Sequence, residues 1–330
     1  MARRAVVLMN LGGPNSPAAV RPFLYNLFSD RAIIDLPAPL RLPLAWLIAR
    51  ARSRLAGEIY AHLGGSSPLL ANTEAQARAM EDELGPEHRC FIAMRYWHPL
   101  TEEAVATVKE WRPDEVVLLP LYPQFSTTTT ASSLAAWREE ARRQHLACPT
   151  REISAYPTEP GFIAALAGLI DRALAEAAGR ERPGRLLFSA HGLPVKIVRK
   201  GDPYPQQIDS TARAIIAALA PPPTDWRVCY QSRVGPLAWL GPAVDEEIRR
   251  AGRDRVGIVI APISFVSEHS ETLVELDRDY RRLAEQCGVP FYLRVPAVGT
   301  DRRFIAGLVR LVRGETSRTE EPAGKAALAS

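Results

Sequence analysis

Lysine is scarce in this 330-residue chain. Lys109, Lys196, Lys200 and Lys325 are the only ones, so arginine carries nearly all of the 41 basic charges. Arginine suits bidentate binding of carboxylates and phosphates. The formal net charge is only +4 and no dense basic block exists, which argues against nucleic acid as a partner. Cysteine is equally sparse. Cys90, Cys148, Cys229 and Cys287 stand apart with no C-x-x-C spacing, which disfavours a zinc or iron–sulfur centre built from cysteine. Isolated cysteines beside apolar runs read instead as small buried hydrophobes. No apolar run reaches the ~18 residues a membrane span needs. The best candidate, Leu36 to Ile48, is broken by Arg41 and by prolines. The apolar part of Met1 to Asn10 is too short for a secretion signal, so a cytoplasmic location is expected. There is neither a G-x-G-x-x-G nor a Walker loop. Gly12-Gly13 and Gly64-Gly65-Ser66-Ser67 read as tight turns, which disfavours a nucleotide-dependent enzyme.

What is present belongs to an ordinary globular protein: 47% hydrophobic and 24% charged residues, which excludes a disordered chain. The length suits two domains or one large α/β unit. Short apolar runs at Ala5 to Met9, Cys90 to Tyr96, Glu115 to Tyr122 and Arg151 to Ala155 read as strands. A second set follows at Arg185 to Ala190, Trp226 to Tyr230, Val256 to Ala261 and Phe291 to Arg294. Near-continuous apolar runs mark strands buried on both faces. Helical patterns lie between them, at Thr73 to Leu84, Leu100 to Trp111, Ser132 to Gln144, Phe162 to Ala178 and Tyr204 to Leu219. The alternation predicts an α/β fold of parallel sheets flanked by helices.

The two halves echo each other. Val6 to Pro14 parallels Leu186 to Pro194, and Val116 to Thr130 parallels Gly257 to Thr272. The expected architecture is therefore two Rossmann-like domains. The boundary is expected near Cys148-Pro149, giving 1–148 with the returning helix 300–315, then 149–299. Residues 316–330 are expected to form a mobile tail.

Ligands of open parallel sheets bind at the carboxyl ends of strands. His191, followed by Gly192-Leu193-Pro194, ends one apolar run and either faces a cleft or caps a turn. Ser267 is a plausible N-cap for a helix running to Tyr280. On that helix Glu268, Glu271, Glu275 and Asp279 would share one face, with His269 among them. Aligned like charges repel by a few tenths of a kcal/mol per pair. The face is either simply solvated or meets a cation. Its position at a strand end points toward a divalent metal path, and imidazole with carboxylate suits Fe²⁺, Co²⁺ or Zn²⁺. Thr127 to Thr130 offer hydroxyls at a helix start. Arg50, Arg52 and Arg54 share a segment with Trp46, Leu47, Ile48 and Leu55. That segment reads as a carboxylate clamp at a pocket rim, a membrane-facing surface or a solvated helix.

Seven stretches, in order along nearly the whole chain, resemble the ferrochelatases, enzymes that insert ferrous iron into a porphyrin. They are Leu11 to Pro14, Arg95 to Pro99, Tyr122 to Ser126, Ser189 to Pro194, Tyr230 to Pro236, Trp239 to Pro242 and Phe265 to Leu273. The resemblance implies chelatase-type domains with the porphyrin between them, and protoporphyrin IX converted to protohaem, the terminal step of haem biosynthesis. The alternatives are a chelatase loading cobalt or nickel or using coproporphyrin, and a non-catalytic porphyrin carrier. By resemblance His191 and Glu271 are the catalytic, metal-binding pair, supported along the metal path by Glu268, His269, Glu275 and Asp279. Leu11, Arg52, Tyr60, Ser67, Ser126 and Trp239 match porphyrin-contacting positions, and Arg95 with Tyr96 a second cleft-facing pair. Fe²⁺ is implied as substrate, with no permanently bound cofactor. Thr127 stands where some relatives carry a cluster cysteine and no cysteine follows Cys287, so an iron–sulfur cluster is not expected. Ser66 departs from a glycine common in the family's turn. A bacterial, cytoplasmic enzyme is expected, monomeric or homodimeric, with peripheral contact at the inner membrane through Trp46-Leu47-Ile48.

Overall fold

Each of the eight apolar runs becomes a strand: β1 (Arg4–Asn10), β2 (His88–Met94), β3 (Glu115–Pro120), β4 (Thr150–Glu152), β5 (Gly184–His191), β6 (Trp226–Gln231), β7 (Gly257–Pro262) and β8 (Tyr292–Arg294). The helices are α1 (Val20–Ser29), α2 (Ala38–Ala61), α3 (Leu69–Leu84), α4 (Thr101–Trp111), α5 (Thr130–Arg143), α6 (Pro160–Ala178), α7 (Val195–Val198), α8 (Tyr204–Ala218), α9 (Val244–Asp254), α10 (Tyr280–Gln286) and α11 (Arg302–Arg313). A π-helix, Glu271–Asp279, runs directly into α10. This computed structural model describes residues 2–180, 184–233, 235 and 237–315; the tail expected at 316–330 lies outside them.

The strands make two four-stranded parallel sheets with matching orders, β2-β1-β3-β4 and β6-β5-β7-β8. The duplication reaches individual hydrogen bonds. Leu121 N–H donates to Met9 O at 2.8 Å, and Ile263 N–H to Ser189 O at 2.9 Å. Helices α4 and α9 each span 11 residues. Each begins with a glutamate accepting from the preceding backbone, Glu103 from Leu100 at 2.6 Å and Glu246 from Ala243 at 2.9 Å. Each ends on a left-handed arginine, Arg112 or Arg255. Strand β4, past the boundary expected near Cys148-Pro149, pairs with β3 of the first sheet.

Strand alternation explains why continuous apolar sequences are needed. Val6 and Leu8 point to one core, whereas Ala5, Val7 and Met9 point to another beneath α4 and α5. In the second sheet Leu186 and Phe188 face the shared core and Leu187 faces α9 and α10. Burying such side chains stabilises by roughly 1.5–3 kcal/mol each. The shared core includes α3, α6, α8 and α11. On α11 the spacing of Phe304, Ile305, Leu308, Val309 and Val312 makes one apolar stripe. Asp301 caps its start by accepting from Arg303 N–H at 2.9 Å, and Gly314 at φ 74° ends it. The helix packs against α6 and α3. Of the cysteines, Cys229 is buried and the other three are only half-buried.

One predicted helix is corrected. No helix starts at Ser267; the Ser267 hydroxyl donates to Gln76 Oε1 at 3.1 Å. The chain turns through Glu268 and His269 before the π-helix begins at Glu271. The four acidic residues therefore do not share one α-helical face. A π-helix uses i→i+5 bonds and so widens the turn, a rare arrangement frequent at functional sites.

Candidate functional site

Strand β5 ends at His191, whose backbone N–H donates to Ser264 Oγ at 3.1 Å. Its Nδ1 lies 2.7 Å from Gly192 O, a carbonyl that can only accept, so Nδ1 carries a proton. Nε2 then faces Glu271 Oε1 at 3.5 Å. His269 repeats the arrangement. Its Nδ1 donates to Ser267 O at 3.1 Å, and its Nε2 lies 3.6 Å from Glu271 Oε2. Two imidazoles, each held by a backbone carbonyl, thus converge on one carboxylate. The ring of Phe265 sits between them, with centroids 6.3 Å from His191 and 4.6 Å from His269. The His191 side chain keeps 43% of its surface exposed and Glu271 keeps 27%, so the pair opens outward rather than into the core.

Burial works against both charges of this pair, but the opposite partner outweighs it. The imidazole of His191 is pushed up to about 9 by Glu271. The Glu271 carboxylate is held well below the usual range by His191 and His269. At neutral pH the pair is imidazolium and carboxylate. Glu275 is different: burial and the Glu271 charge push it up. Its carboxylate accepts from Ser232 N–H at 2.8 Å, Ser232 Oγ at 2.5 Å, Gln231 Nε2 at 3.1 Å and Tyr280 OH at 3.0 Å. Ser232 adopts φ 59°, a strained value for a serine, to aim both donors at Glu275. Gln231 is fully buried; it accepts from Ser189 Oγ at 2.6 Å and donates to Glu271 O at 3.1 Å.

The other acidic candidates separate. Glu268 turns away to Arg294, whose Nη1 donates at 2.8 Å, and to the Ala297 N–H at 3.0 Å. Asp279 lies exposed at the end of the π-helix. Among the described residues no group of three or more His, Cys, Asp and Glu side chains has the geometry of a resident metal site.

The first half contributes a second cluster. Leu11 follows β1 and packs with buried Tyr60, Val20 and Phe23. A Cβ on Gly13 would lie 2.5 Å from Ser67 Cβ and 3.9 Å from Tyr60 OH, so only glycine lets these loops meet. Burial pushes the Tyr60 phenol up to about 12, and the charges acting on it include Glu271. Leu11, Tyr60, Ser67 and Glu271 therefore belong to one neighbourhood. Trp239 packs over Gly192, where an added Cβ would sit 3.3 Å from the indole and 2.7 Å from Gln231 O. Arg52 lies over the Phe28 ring at 5.8 Å. On the same helix, α2, Trp46 and Leu47 stand 47% and 56% exposed.

Three expected contacts point elsewhere. Tyr96 is buried rather than cleft-facing, and its hydroxyl donates to Asp30 Oδ2 at 2.8 Å. Arg95 pairs with the same oxygen at 2.8 Å. Burial disfavours charge on Asp30, but Arg95 leads the contacts that keep its carboxyl below the usual range. Ser126 is buried and donates to Asp202 Oδ2 at 3.0 Å, joined there by Thr127 N–H at 2.7 Å. Both arrangements satisfy a buried carboxylate within the fold. Sequence reasoning passed over Ser264, Asp30 and Asp202, because each acts on a candidate residue from a distant stretch of chain.

The sequence pattern of the ferrochelatase family matches residues 3–316. The chain belongs to that family. It is 56% identical over 319 residues to a ferrochelatase of Caulobacter vibrioides, covering 95% of this chain and 90% of that one. It is 55% identical to a ferrochelatase of Phenylobacterium zucineum, covering 96% and 92%. Among solved structures, SirB from Bacillus subtilis with Fe3+ shares the fold at a TM-score of 0.58 and 10% identity, covering 96% of this chain and 97% of that one. CbiX, from the biosynthesis of sirohaem, does so at 0.51 and 19%, covering 96% and 100%. The chain is a lyase-type chelatase that inserts ferrous iron into a porphyrin to make haem. No helix among the described residues is long and apolar enough to cross a membrane.

Proposed function

We propose that His191 and Glu271 carry the insertion step, on protoporphyrin IX, with His269 orienting Glu271. The supporting observation is the convergence of two backbone-locked imidazoles on a single half-exposed carboxylate. A hydrogen bond from the far ring nitrogen to a backbone carbonyl holds a metal-handling imidazole in orientation. Insertion takes in one dication and releases two pyrrole protons, so charge balances. Before iron arrives His191 is protonated by virtue of Glu271. A dication reaching Glu271 replaces the imidazolium as counter-charge, and the like charge then expels the His191 proton to solvent. Nε2 becomes free to accept one pyrrole proton and pass it to solvent, then to take the second by the same route, so both protons leave as the metal enters. Leu11 and Trp239 flank the macrocycle; bending it would expose the nitrogen lone pairs to the metal. Glu275 serves as a reserve carboxylate behind Glu271, with Asp279 at the outer end of the route.

Iron is substrate in this reading, and the enzyme is cytoplasmic. The exposed Trp46 and Leu47 are the face assigned to peripheral membrane contact. An anaerobic spectroscopic assay with protoporphyrin IX and Fe²⁺ tests the core of it. His191→Ala and Glu271→Gln should each nearly abolish haem formation with the fold intact by circular dichroism. Turnover near wild type in either variant would refute the assignment.

A further inference from the structure

Helix α3 begins directly behind Ser67, whose Oγ accepts from Leu69 N–H at 3.3 Å. Positions 69, 72, 73 and 76 recur at helical spacing and lie on one side of it. Thr73 and Gln76 are fully buried despite being polar. The Thr73 hydroxyl accepts from Asn10 Nδ2 at 3.1 Å, and Asn10 Oδ1 in turn accepts from Leu11 N–H at 2.8 Å. One turn of the helix therefore holds the end of β1.

The next turn reaches the other half of the chain. Gln76 Nε2 donates to Val266 O at 3.0 Å and to Gly299 O at 3.0 Å. Gln76 Oε1 accepts from Ser267 Oγ at 3.1 Å. Asn72 Nδ2 donates to Glu268 O at 2.9 Å. Every backbone or side-chain group gripped by Asn72 and Gln76, save Gly299, lies in Val266 to Glu268, immediately before His269 and Glu271. A glutamine amide that satisfies one hydroxyl and two carbonyls leaves that loop little freedom, since displacing it would strand buried polar atoms. Leu69 and Gln76 are about 10 Å apart along a stiff helix.

We propose that Gln76, assisted by Asn72, is a positioning residue for metal delivery: through α3 it sets the loop bearing His269 and Glu271 at a fixed distance from the Leu11–Ser67 side of the site. The inference rests on the reading that Glu271 receives the metal and that Leu11 meets the macrocycle. A porphyrin seated on one half and a metal presented by the other must meet within a bond length, and a shared helix supplies that tolerance. Gln76 touches neither substrate, so its loss should act on the metal side of the reaction alone.

The test uses the whole chain in anaerobic steady-state insertion. KM for Fe²⁺ is measured apart from the protoporphyrin IX Kd, the latter by fluorescence quenching. Gln76→Leu should lower kcat/KM for Fe²⁺ about tenfold or more, the usual cost of losing an outer-shell support. The porphyrin Kd should stay within about twofold. Should Gln76→Leu fail to fold, Asn72→Ala at its half-exposed position carries the test, with a loss of about two- to fivefold in the same constant from one hydrogen bond. An unchanged metal-side constant in a folded variant overturns the inference, and so does an equal weakening of porphyrin and metal. Glu271→Gln run alongside separates the two failures. If it retains turnover, the reading of the site falls. If it is inactive while Gln76→Leu keeps wild-type kinetics for Fe²⁺, the positioning role alone falls.

Discussion

Leu11 and His191 occupy equivalent places. Each is two residues past the last position at which the central strand of its sheet, β1 or β5, pairs with both neighbours, and each precedes a glycine. The first is apolar and packs with Tyr60, Val20 and Phe23. The second is an imidazole facing a carboxylate. The next strand repeats the contrast. After β3 the chain enters α5, an ordinary α-helix whose approach carries hydroxyls bound to Asp202. After β7 it enters a π-helix bearing Glu271 and Glu275. One backbone plan thus carries two chemistries, and the difference lies in side chains at strand ends rather than in topology. Hydrophobic patterning dictates the sheets, whereas a residue just beyond a strand is released from that demand and can be chosen for chemistry.

The largest test of that division replaces the two equivalent residues. His191→Ala should lower kcat about 10²–10⁴-fold, the range for losing a positioned acid–base group. Leu11→Ala should weaken porphyrin binding only about tenfold through lost apolar contact. Equal losses of turnover would erase the distinction. Next, Asp30→Asn should cost the first half about 2 kcal/mol, because half-buried Arg95 would keep its charge without its counterion. Denaturant titration measures it, and a cost under 1 kcal/mol would show that Arg95 finds water instead.

A smaller effect probes whether the two strand ends are mechanically alike. Gly12→Ala meets a positive φ of 85° and a Cβ contact of 3.0 Å to Trp97 N. Gly192→Ala meets Gln231 O at 2.7 Å. Both should lose roughly 2 kcal/mol by the same measurement, one through backbone strain and the other through crowding. Loss at only one glycine would break the equivalence. The smallest effect is in pH. The raised His191 value contributes stability fully below 6.5, and that contribution disappears as pH climbs through about 9. The depressed Glu271 contributes above its ordinary 4.5 and is lost as pH falls below it. Denaturation midpoints across pH should therefore decline toward both extremes. Partial exposure screens the pair and keeps the slope modest. In His191→Ala the alkaline decline should vanish; its persistence would assign it to another group.

The inner strands β1, β3, β5 and β7 were legible because each had to be apolar on both faces, a demand visible residue by residue in Val6 to Met9 or Leu186 to Ala190. His191 was legible for a related reason: it follows such a run. The acidic segment was harder. Periodicity alone suggested a helix from Ser267, yet Ser267 and Glu268 are held by Gln76, Arg294 and Ala297, none of them local in sequence. Arg95, Tyr96 and Ser126 looked available at strand ends, but Asp30 and Asp202 arrive from distant segments to occupy them.

From the linear chain alone followed the doubled α/β plan, the strand ends as the place of chemistry, and the family the motifs resemble, since patterning and short motifs are local properties. Tertiary structure alone decided which polar groups are spent on one another. It paired Glu268 with Arg294 and Tyr96 with Asp30, while leaving His191 and Glu271 half open and aligned. That choice depends on through-space distances of about 3 Å between residues tens to hundreds of positions apart, where a hydrogen bond or ion pair either forms or does not.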